Sequence, residues 1–276
     1  MTEANRSTRI AFIGAGNMAG SLIGGLLANG HPKEALRACT RTPESATRVA
    51  EQFDIHCDTD NAAAARWADI VVLAVKPQSM RDLCLQLTSS LDHQPLLISV
   101  AAGITTELMD QWLGGKRAIV RAMPNTPSLL HSGAAGLFAN AGVSDQQRSQ
   151  AQQLLEAVGI AEWVEQEELM DAVTAVAGSG PAYYFLLMEL MEKVAKELGL
   201  PADSARRLTL QTALGAARMA TEGEHSPAEL RQRVTSKKGT TDRAITTFLN
   251  EGLEDTIRNG ITGARDRGRE MAAENQ

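Results

Sequence analysis

Aromatic side chains are scarce in this chain: three Trp, two Tyr and five Phe among 276 residues. So few large rings leave the interior to Ala, Gly and Leu, which suits close helix–sheet and helix–helix packing better than a β-sandwich. Cysteine is rarer still. Cys39, Cys57 and Cys84 are odd in number, match no metal-ligand spacing and all fall in the first third. They are expected to be reduced thiols in a cytoplasmic protein, with no disulfide framework and no metal site. No apolar run approaches the ~18–20 residues of a membrane span. Nor is there a basic excess. Lys and Arg number 27 against 33 Asp and Glu, a formal net charge of -6, which gives nucleic acid or an anionic membrane no footing. Met1 to Arg9 is polar and the first apolar run ends early in glycine, so no signal peptide is expected.

What the chain does have is length enough for about two domains and 43% hydrophobic residues to build their cores. Apolar runs at Arg9–Ile13, Leu36–Thr40, Ile70–Val75, Leu96–Val100 and Ala118–Ala122 predict strands, with two more at Gly133–Ala139 and Ala161–Val164. Between them, Asn17–Ala28, Pro43–Phe53, Met80–Leu87, Thr106–Leu113 and Asp145–Val158 carry helical spacing. Ile70–Val75 is apolar throughout, as a strand covered on both faces must be. The alternation predicts a doubly wound, mostly parallel sheet over residues 1–164.

The pattern changes at Glu165. Residues 165–276 show no convincing strand. Leu169–Leu198 is one long apolar helical stretch, interrupted at Gly178-Ser179-Gly180-Pro181, where a kink or a tight helix contact is expected. Pro201–Thr221, Pro227–Val234, Thr240–Asn250 and Leu253–Glu270 are further helices. So much apolar surface in an all-helical domain predicts burial in a homodimer.

Gly14-Ala15-Gly16-Asn17-Met18-Ala19 reads G-x-G-x-x-A between a predicted strand and a predicted helix. Gly14 permits the tight turn, Gly16 lets the backbone approach a pyrophosphate, and Ala19 is small enough for the helix to lie on the sheet. The helix N-terminus then offers free N–H groups to the phosphates. In this context the motif predicts a Rossmann dinucleotide site. The second strand ends Cys39-Thr40-Arg41-Thr42, with no acid to accept from a ribose 2′-OH, so Arg41 favours the 2′-phosphate of NADPH, with NADH possible. At the tip of the central strand, Ala74, Val75, Lys76 and Pro77 face the expected crevice, although Lys76 also fits a surface lysine. Ala101 belongs to a small-residue strand end that leaves room for a nicotinamide ring. Asn125, in Arg121-Ala122-Met123-Pro124-Asn125-Thr126-Pro127, either orients the carboxamide or substrate or holds a turn.

Together these segments resemble the pyrroline-5-carboxylate reductase family. G-A-G-N-M-A, A-V-K-P-Q, R-A-M-P-N-T-P, A-G-S-G-P-A-Y and V-T-S-K-K-G-T-T stand in that family's order and spacing from about Arg9 to about Arg267. The resemblance implies an N-terminal Rossmann domain and a helical dimerisation domain, an active site completed by a partner subunit, and in several members rings of dimers. It implies the last step of proline biosynthesis, NAD(P)H-dependent reduction of L-1-pyrroline-5-carboxylate to L-proline. It adds Asn61 to the cofactor site. It places Glu224, Ser236, Gly239, Thr240 and Thr241 around the substrate, with Glu167 as a further addition, and makes Thr241 and Ser236 the catalytic pair. One departure stands out. The family loop usually reads S-P-G-G-T-T, whereas here Ser236-Lys237-Lys238-Gly239-Thr240-Thr241 has lysines in place of a proline and a glycine.

The chemistry needs little acid–base machinery, because a cyclic imine can bind already protonated. This agrees with five scattered histidines, none assigned a role. Thr241 is the expected hydrogen-bond partner of the ring nitrogen, and the Gly239–Thr241 N–H groups with the Ser236 hydroxyl the carboxylate cradle; read without the family, these hydroxyls would be helix caps. The alternatives are a β-hydroxyacid dehydrogenase, a reductase of a related cyclic imino acid, and a non-catalytic dinucleotide sensor. The first calls for a lysine on the interdomain helix, but Pro181, Ala182 and Tyr183 follow Gly180 and the next lysine is Lys193. The last would have lost the Ser236–Thr241 loop.

Overall fold

The structure, a computed structural model, describes residues 7–274. The chain forms two compact units. One holds the chain up to Ser179 together with the stretch from Ala264 onward; the other spans Gly180–Gly263.

The first unit is built on eight strands: β1 (Ile10–Ile13), β2 (Leu36–Cys39), β3 (His56–Asp58), β4 (Ile70–Leu73), β5 (Leu96–Ser99), β6 (Ile119–Met123), β7 (Gly133–Ala139) and β8 (Gly159–Trp163). They lie in one sheet in the order β3-β2-β1-β4-β5-β6-β7-β8. Every neighbouring pair is parallel except β6 with β7. Helices α1 (Asn17–Ala28), α2 (Pro43–Phe53), α3 (Asn61–Trp67), α4 (Met80–Leu87), α5 (Thr106–Trp112) and α6 (Asp145–Glu156) connect them. Parallel strands of this kind are covered on both faces, and their apolar runs show it. Along β1, Ile10 and Phe12 join Leu22 and Ile23 of α1 in one core, while Ala11 and Ile13 join Leu73 and Met80 in the other.

Two elements have no counterpart in the sequence reading. β3 is a three-residue edge strand whose His56 is exposed, so it presents no apolar run. α3 is a short alanine-rich helix with no polar face to set against its buried one. Its start is fixed by Asp60, whose Oδ1 accepts from the Ala63 N–H at 2.9 Å. The last strand also begins two residues before the predicted Ala161, at Gly159.

The long apolar stretch after Glu165 divides into α7 (Leu169–Val173), a π-helical turn at Thr174–Gly178, and α8 (Gly180–Glu197). The glycine-rich break is a close contact. A Cβ on Gly178 would lie 2.6 Å from the Met123 methyl. The Asn125 Nδ2 donates to the Ala177 carbonyl at 3.1 Å, and its Oδ1 accepts from the Ala134 N–H at 2.9 Å. Pro181 follows in the first turn of α8, where its missing N–H removes no helix bond.

The second unit is helical: α8, α9 (Ala202–Glu222), α10 (Pro227–Arg233), α11 (Thr240–Asn250) and the first part of α12 (Leu253–Glu274). Among the described residues no strand follows β8. Of residues 180–263 only Gly180, Ala205 and Thr209 are buried. Tyr184, Phe185, Leu187, Leu190, Leu214 and Met219 are exposed. A helical unit without a core of its own, presenting so many apolar side chains, needs a partner surface.

Within the first unit, Gly25 is where α1 meets the end of α6. A Cβ there would sit 2.7 Å from the Ala157 carbonyl oxygen. Gly25→Val is expected to lower stability by about 1–3 kcal/mol through overpacking, read as a lower midpoint in denaturant unfolding. An unchanged midpoint would mean that these two segments separate freely.

Candidate active site

The sheet order reverses between β1 and β4: the chain runs from β1 outward through β2 and β3, then returns to β4 on the other side. Ligands in such sheets bind at the carboxyl ends of the strands beside that reversal. The register brings the ends level, because Ile13 pairs with both Cys39 and Leu73. A cleft of about 590 Å³ lies there.

Its floor is the β1–α1 turn. Gly14 takes φ +92°, and a Cβ on it would lie 2.9 Å from Val75 Cγ1 and 3.0 Å from the Ala74 carbonyl. Only glycine satisfies both constraints. The Gly14 and Ala15 N–H groups donate to the Cys39 carbonyl at 3.0 and 2.9 Å, which ties the turn to the tip of β2. A Cβ on Gly16, in contrast, would meet nothing within 4 Å. α1 starts there with no side-chain cap, so its first N–H groups are left for an anion. These features fit a dinucleotide pyrophosphate.

Around this turn the cleft gathers Gly14, Gly16, Arg41, Asn61, Ala74, Val75 and Lys76 from the sequence-predicted set. Arg41 and Lys76 are exposed. Thr40 holds the tip of β2, its N–H donating to the Asp58 carbonyl at 3.0 Å and its hydroxyl to the Thr42 carbonyl at 3.0 Å. The Asp58 carboxylate is taken up by His56 Nε2 at 2.8 Å and the Asp60 N–H at 2.8 Å. Cys39 lines the cleft but is no nucleophile: burial first, then the Asp58 carboxylate, push its thiol far above the ordinary range. Burial also lifts Cys57 to about 11 and Cys84 to about 12. All three cysteines are unpaired.

Several predicted residues lie off the cleft wall. Asn17 opens α1 and is exposed, Met18 is half-buried, and Ala19 is buried in the core beneath the helix. Pro77 starts a 3₁₀ turn after Lys76. Ala101 is buried, its N–H donating to Ser99 Oγ at 3.3 Å. Asn125 is engaged at both ends of its amide, between the π-helical turn and β7. Sequence reasoning, in turn, did not reach Ser45 and Arg48, which also line the cleft. They stand three residues apart on α2, so they share a helix face, but the linear pattern does not say which face looks onto the tip of β2.

Glu167 sits in the first unit as part of a buried charge cluster. Its carboxylate accepts from the Thr106 N–H at 2.8 Å, the Thr106 hydroxyl at 2.7 Å and Arg121 Nη1 at 3.3 Å. Arg121, 4% exposed on β6, also reaches Asp171 at 3.8 Å, and Arg269 of α12 reaches Asp171 from outside at 3.9 Å. Burial holds the Asp171 carboxyl above its ordinary value, and the two arginines offset only part of that rise.

The second unit carries the Ser236–Thr241 loop. Lys238 occupies the left-handed region at φ +60°, where the family pattern has glycine. The turn closes with the Gly239 N–H donating to the Ser236 carbonyl at 2.9 Å and the Lys238 N–H to Asp242 Oδ2 at 2.9 Å. A side chain at 239 would collide with the Ser236 hydroxyl. So Gly239 alone suffices for the turn. α11 begins at Thr240 with Gly239 as its N-cap and no side-chain cap. The hydroxyls of Ser236, Thr240 and Thr241 therefore do not cap it. Glu224 is exposed between α9 and α10.

The same two halves are found in known proteins. Residues 167–271 match the family model described as pyrroline-5-carboxylate reductase dimerisation, and residues 9–103 one described as NADP oxidoreductase coenzyme F420-dependent. A pyrroline-5-carboxylate reductase from Pseudomonas aeruginosa is 53% identical over 264 residues, 96% of this chain and 97% of that protein. The solved structure of a pyrroline-5-carboxylate reductase from Coxiella burnetii superposes with a TM-score of 0.93 at 42% identity, covering 97% of this chain and 99% of that one. The pyrroline carboxylate reductase of Plasmodium falciparum, solved with NADP bound, superposes with a TM-score of 0.84 at 26% identity over 96% of this chain and 98% of that one. With its glycine turn, its Ser236–Thr241 loop and near-full-length likeness to these proteins, the chain belongs to the pyrroline-5-carboxylate reductase family.

Proposed function

We propose that this protein reduces L-1-pyrroline-5-carboxylate to L-proline with NADPH, the last step of proline biosynthesis, and that it works as a cytoplasmic homodimer, with rings of dimers as the larger assembly. The observation that carries the reading is the loop at α11. Three hydroxyls stand at a helix N-terminus, and none is used to cap it. They are left for a ligand, and a small carboxylate is the ligand that a helix N-terminus favours. A nucleotide cleft by itself suits many oxidoreductases; this loop narrows the substrate.

The cofactor, when bound, supplies the hydride. The chain's residues supply position. Gly14 and Gly16 with the first turn of α1 hold the pyrophosphate, Arg41 the 2′-phosphate, and Lys76 with Asn61 the adjoining hydroxyls. Met18, Ala19 and Pro77 shape that wall, and Ala101 and Asn125 set its far end by packing and hydrogen bonding. On the substrate, the Gly239–Thr241 N–H groups and the Ser236 hydroxyl grip the carboxylate, and the Thr241 hydroxyl bonds the ring nitrogen. Glu224 and Thr240 complete that side. The Glu167 carboxylate acts from behind through Thr106 and Arg121. No strongly tuned acid is needed, because the imine can arrive protonated. Most of the rate would then come from positioning the ring against the bound cofactor rather than from acid–base chemistry.

Lys237 and Lys238 change the loop without abolishing it. Lys238 holds a left-handed conformation at a cost of roughly 1–2 kcal/mol, which glycine would avoid.

Three outcomes are expected. The protein should oxidise NADPH, followed by absorbance, with pyrroline-5-carboxylate far faster than with a six-membered cyclic imine or a 2-keto acid; equal rates with the keto acid would end the proposal. Thr241→Ala should lower kcat at least about tenfold, the worth of one charge-assisted hydrogen bond, while the NADPH dissociation constant stays within twofold. Unchanged steady-state rates would remove Thr241 from the mechanism. Arg41→Ala should weaken NADPH binding by about tenfold or more and leave NADH nearly unaffected, measured by fluorescence titration of each cofactor.

A further inference from the structure

Arg48 has no assigned task. It lies on α2, seven residues beyond Arg41, and lines the same cleft. Its usual partner on a helix would be Glu44, four residues earlier, yet no ion pair joins them among the described residues. The backbone N–H and the Thr42 hydroxyl at the helix start hold the Glu44 carboxyl below its ordinary value. Asp82 also lines the cleft, and Glu51 follows Arg48 by three residues on α2, but neither pairs with Arg48 among the described residues, and the acids beside the tip of β2 are engaged elsewhere. Asp58 holds His56 and the Asp60 N–H, and Asp60 caps α3. Arg41 likewise makes no ion pair among the described residues. Two guanidinium groups thus face one cleft, at the strand tip where a ribose 2′ substituent belongs, with Ser45 between them in sequence and also on the cleft wall. Arg48 also borders the adjoining groove, where α1 contributes Gly16, Gly20 and Gly24.

We propose that Arg48 is the second arm of a two-arginine clamp on the cofactor's 2′-phosphate, with the Ser45 hydroxyl as an added donor. The inference rests on the reading of Arg41 above and extends it. A 2′-phosphate carries about −1.5 to −2 charge near neutral pH, so a single arginine leaves part of it uncompensated, whereas two neutralise it. Guanidinium groups suit this work because their planar donors pair with phosphate oxygens two at a time. The clamp makes the preference for NADPH over NADH a joint property of β2 and α2, where the sequence pattern points only to Arg41.

The test is equilibrium binding of NADPH, NADH and adenosine 2′,5′-bisphosphate to the full-length protein by calorimetry, with no substrate present. Arg48→Ala and Arg48→Gln should each weaken NADPH and the bisphosphate by about tenfold, change NADH by less than twofold, and leave thermal stability intact. Arg48→Lys should recover part of the loss. In the double variant with Arg41→Ala, NADPH and NADH should bind with nearly equal affinity. If Arg41→Ala discriminates between the cofactors and neither Arg48 variant does, the clamp is wrong and the single-arginine reading stands. If neither arginine discriminates, both readings fall.

Discussion

Gly14 has no room for a side chain, and the rest of the cleft depends on that. Its backbone is left-handed, Val75 and Ala74 press on the space where a Cβ would be, and its N–H is fixed to the end of β2. One residue therefore joins the ends of three strands, β1, β2 and β4. Close approach of the β1–α1 turn to β4 brings Lys76 to the same cleft as Arg41. The bond to Cys39 holds the tip of β2 at a set distance from the β1–α1 turn. A larger residue at 14 would have to push β4 away, and the crevice would open along its whole floor.

The two compact units obey different physics. The first buries its apolar side chains in two cores, one on either face of the sheet. The second has three buried residues over 180–263. Its helices are formed, and α10 carries a Ser226–Glu229 capping box, but their apolar faces look outward. Local helix propensity is weak compared with the entropy of ordering a chain, so such a unit gains its stability from association. The match to a dimerisation family over residues 167–271 is the same conclusion reached from sequence likeness.

Polar groups inside the first unit are placed with full partnership. Among the described residues no buried side-chain nitrogen or oxygen lacks a hydrogen bond. Arg121 is the clearest case. A buried guanidinium is tolerated because Glu167 and Asp171 face it, and breaking such a pair by removing one partner costs about 3–5 kcal/mol. Asn125 likewise satisfies a carbonyl that the π-helical turn leaves exposed. Both residues tie the sheet to the segment that follows it, Arg121 through Glu167 and Asp171 and Asn125 through Ala177.

By itself the sequence determined the order of the longer elements, the switch from alternating strands and helices to helices alone near Glu165, and the glycine turn between β1 and α1. These are local signals: the spacing of apolar residues and the need for glycine at a positive φ. It showed the Ser236–Thr241 loop only through family likeness, since hydroxyls before a helix read equally well as caps. Tertiary structure decided the rest. β3 and α3 carry too little apolar pattern to be seen without their neighbours. Arg48 and Ser45 become cleft residues only once α2 lies against β2, and Glu167 and Asn125 acquire their roles from partners 46 to 61 and 9 to 52 residues away. Periodicity records which face of an element is buried. It does not record what that face meets, because strand register and crossover set that across the whole sheet.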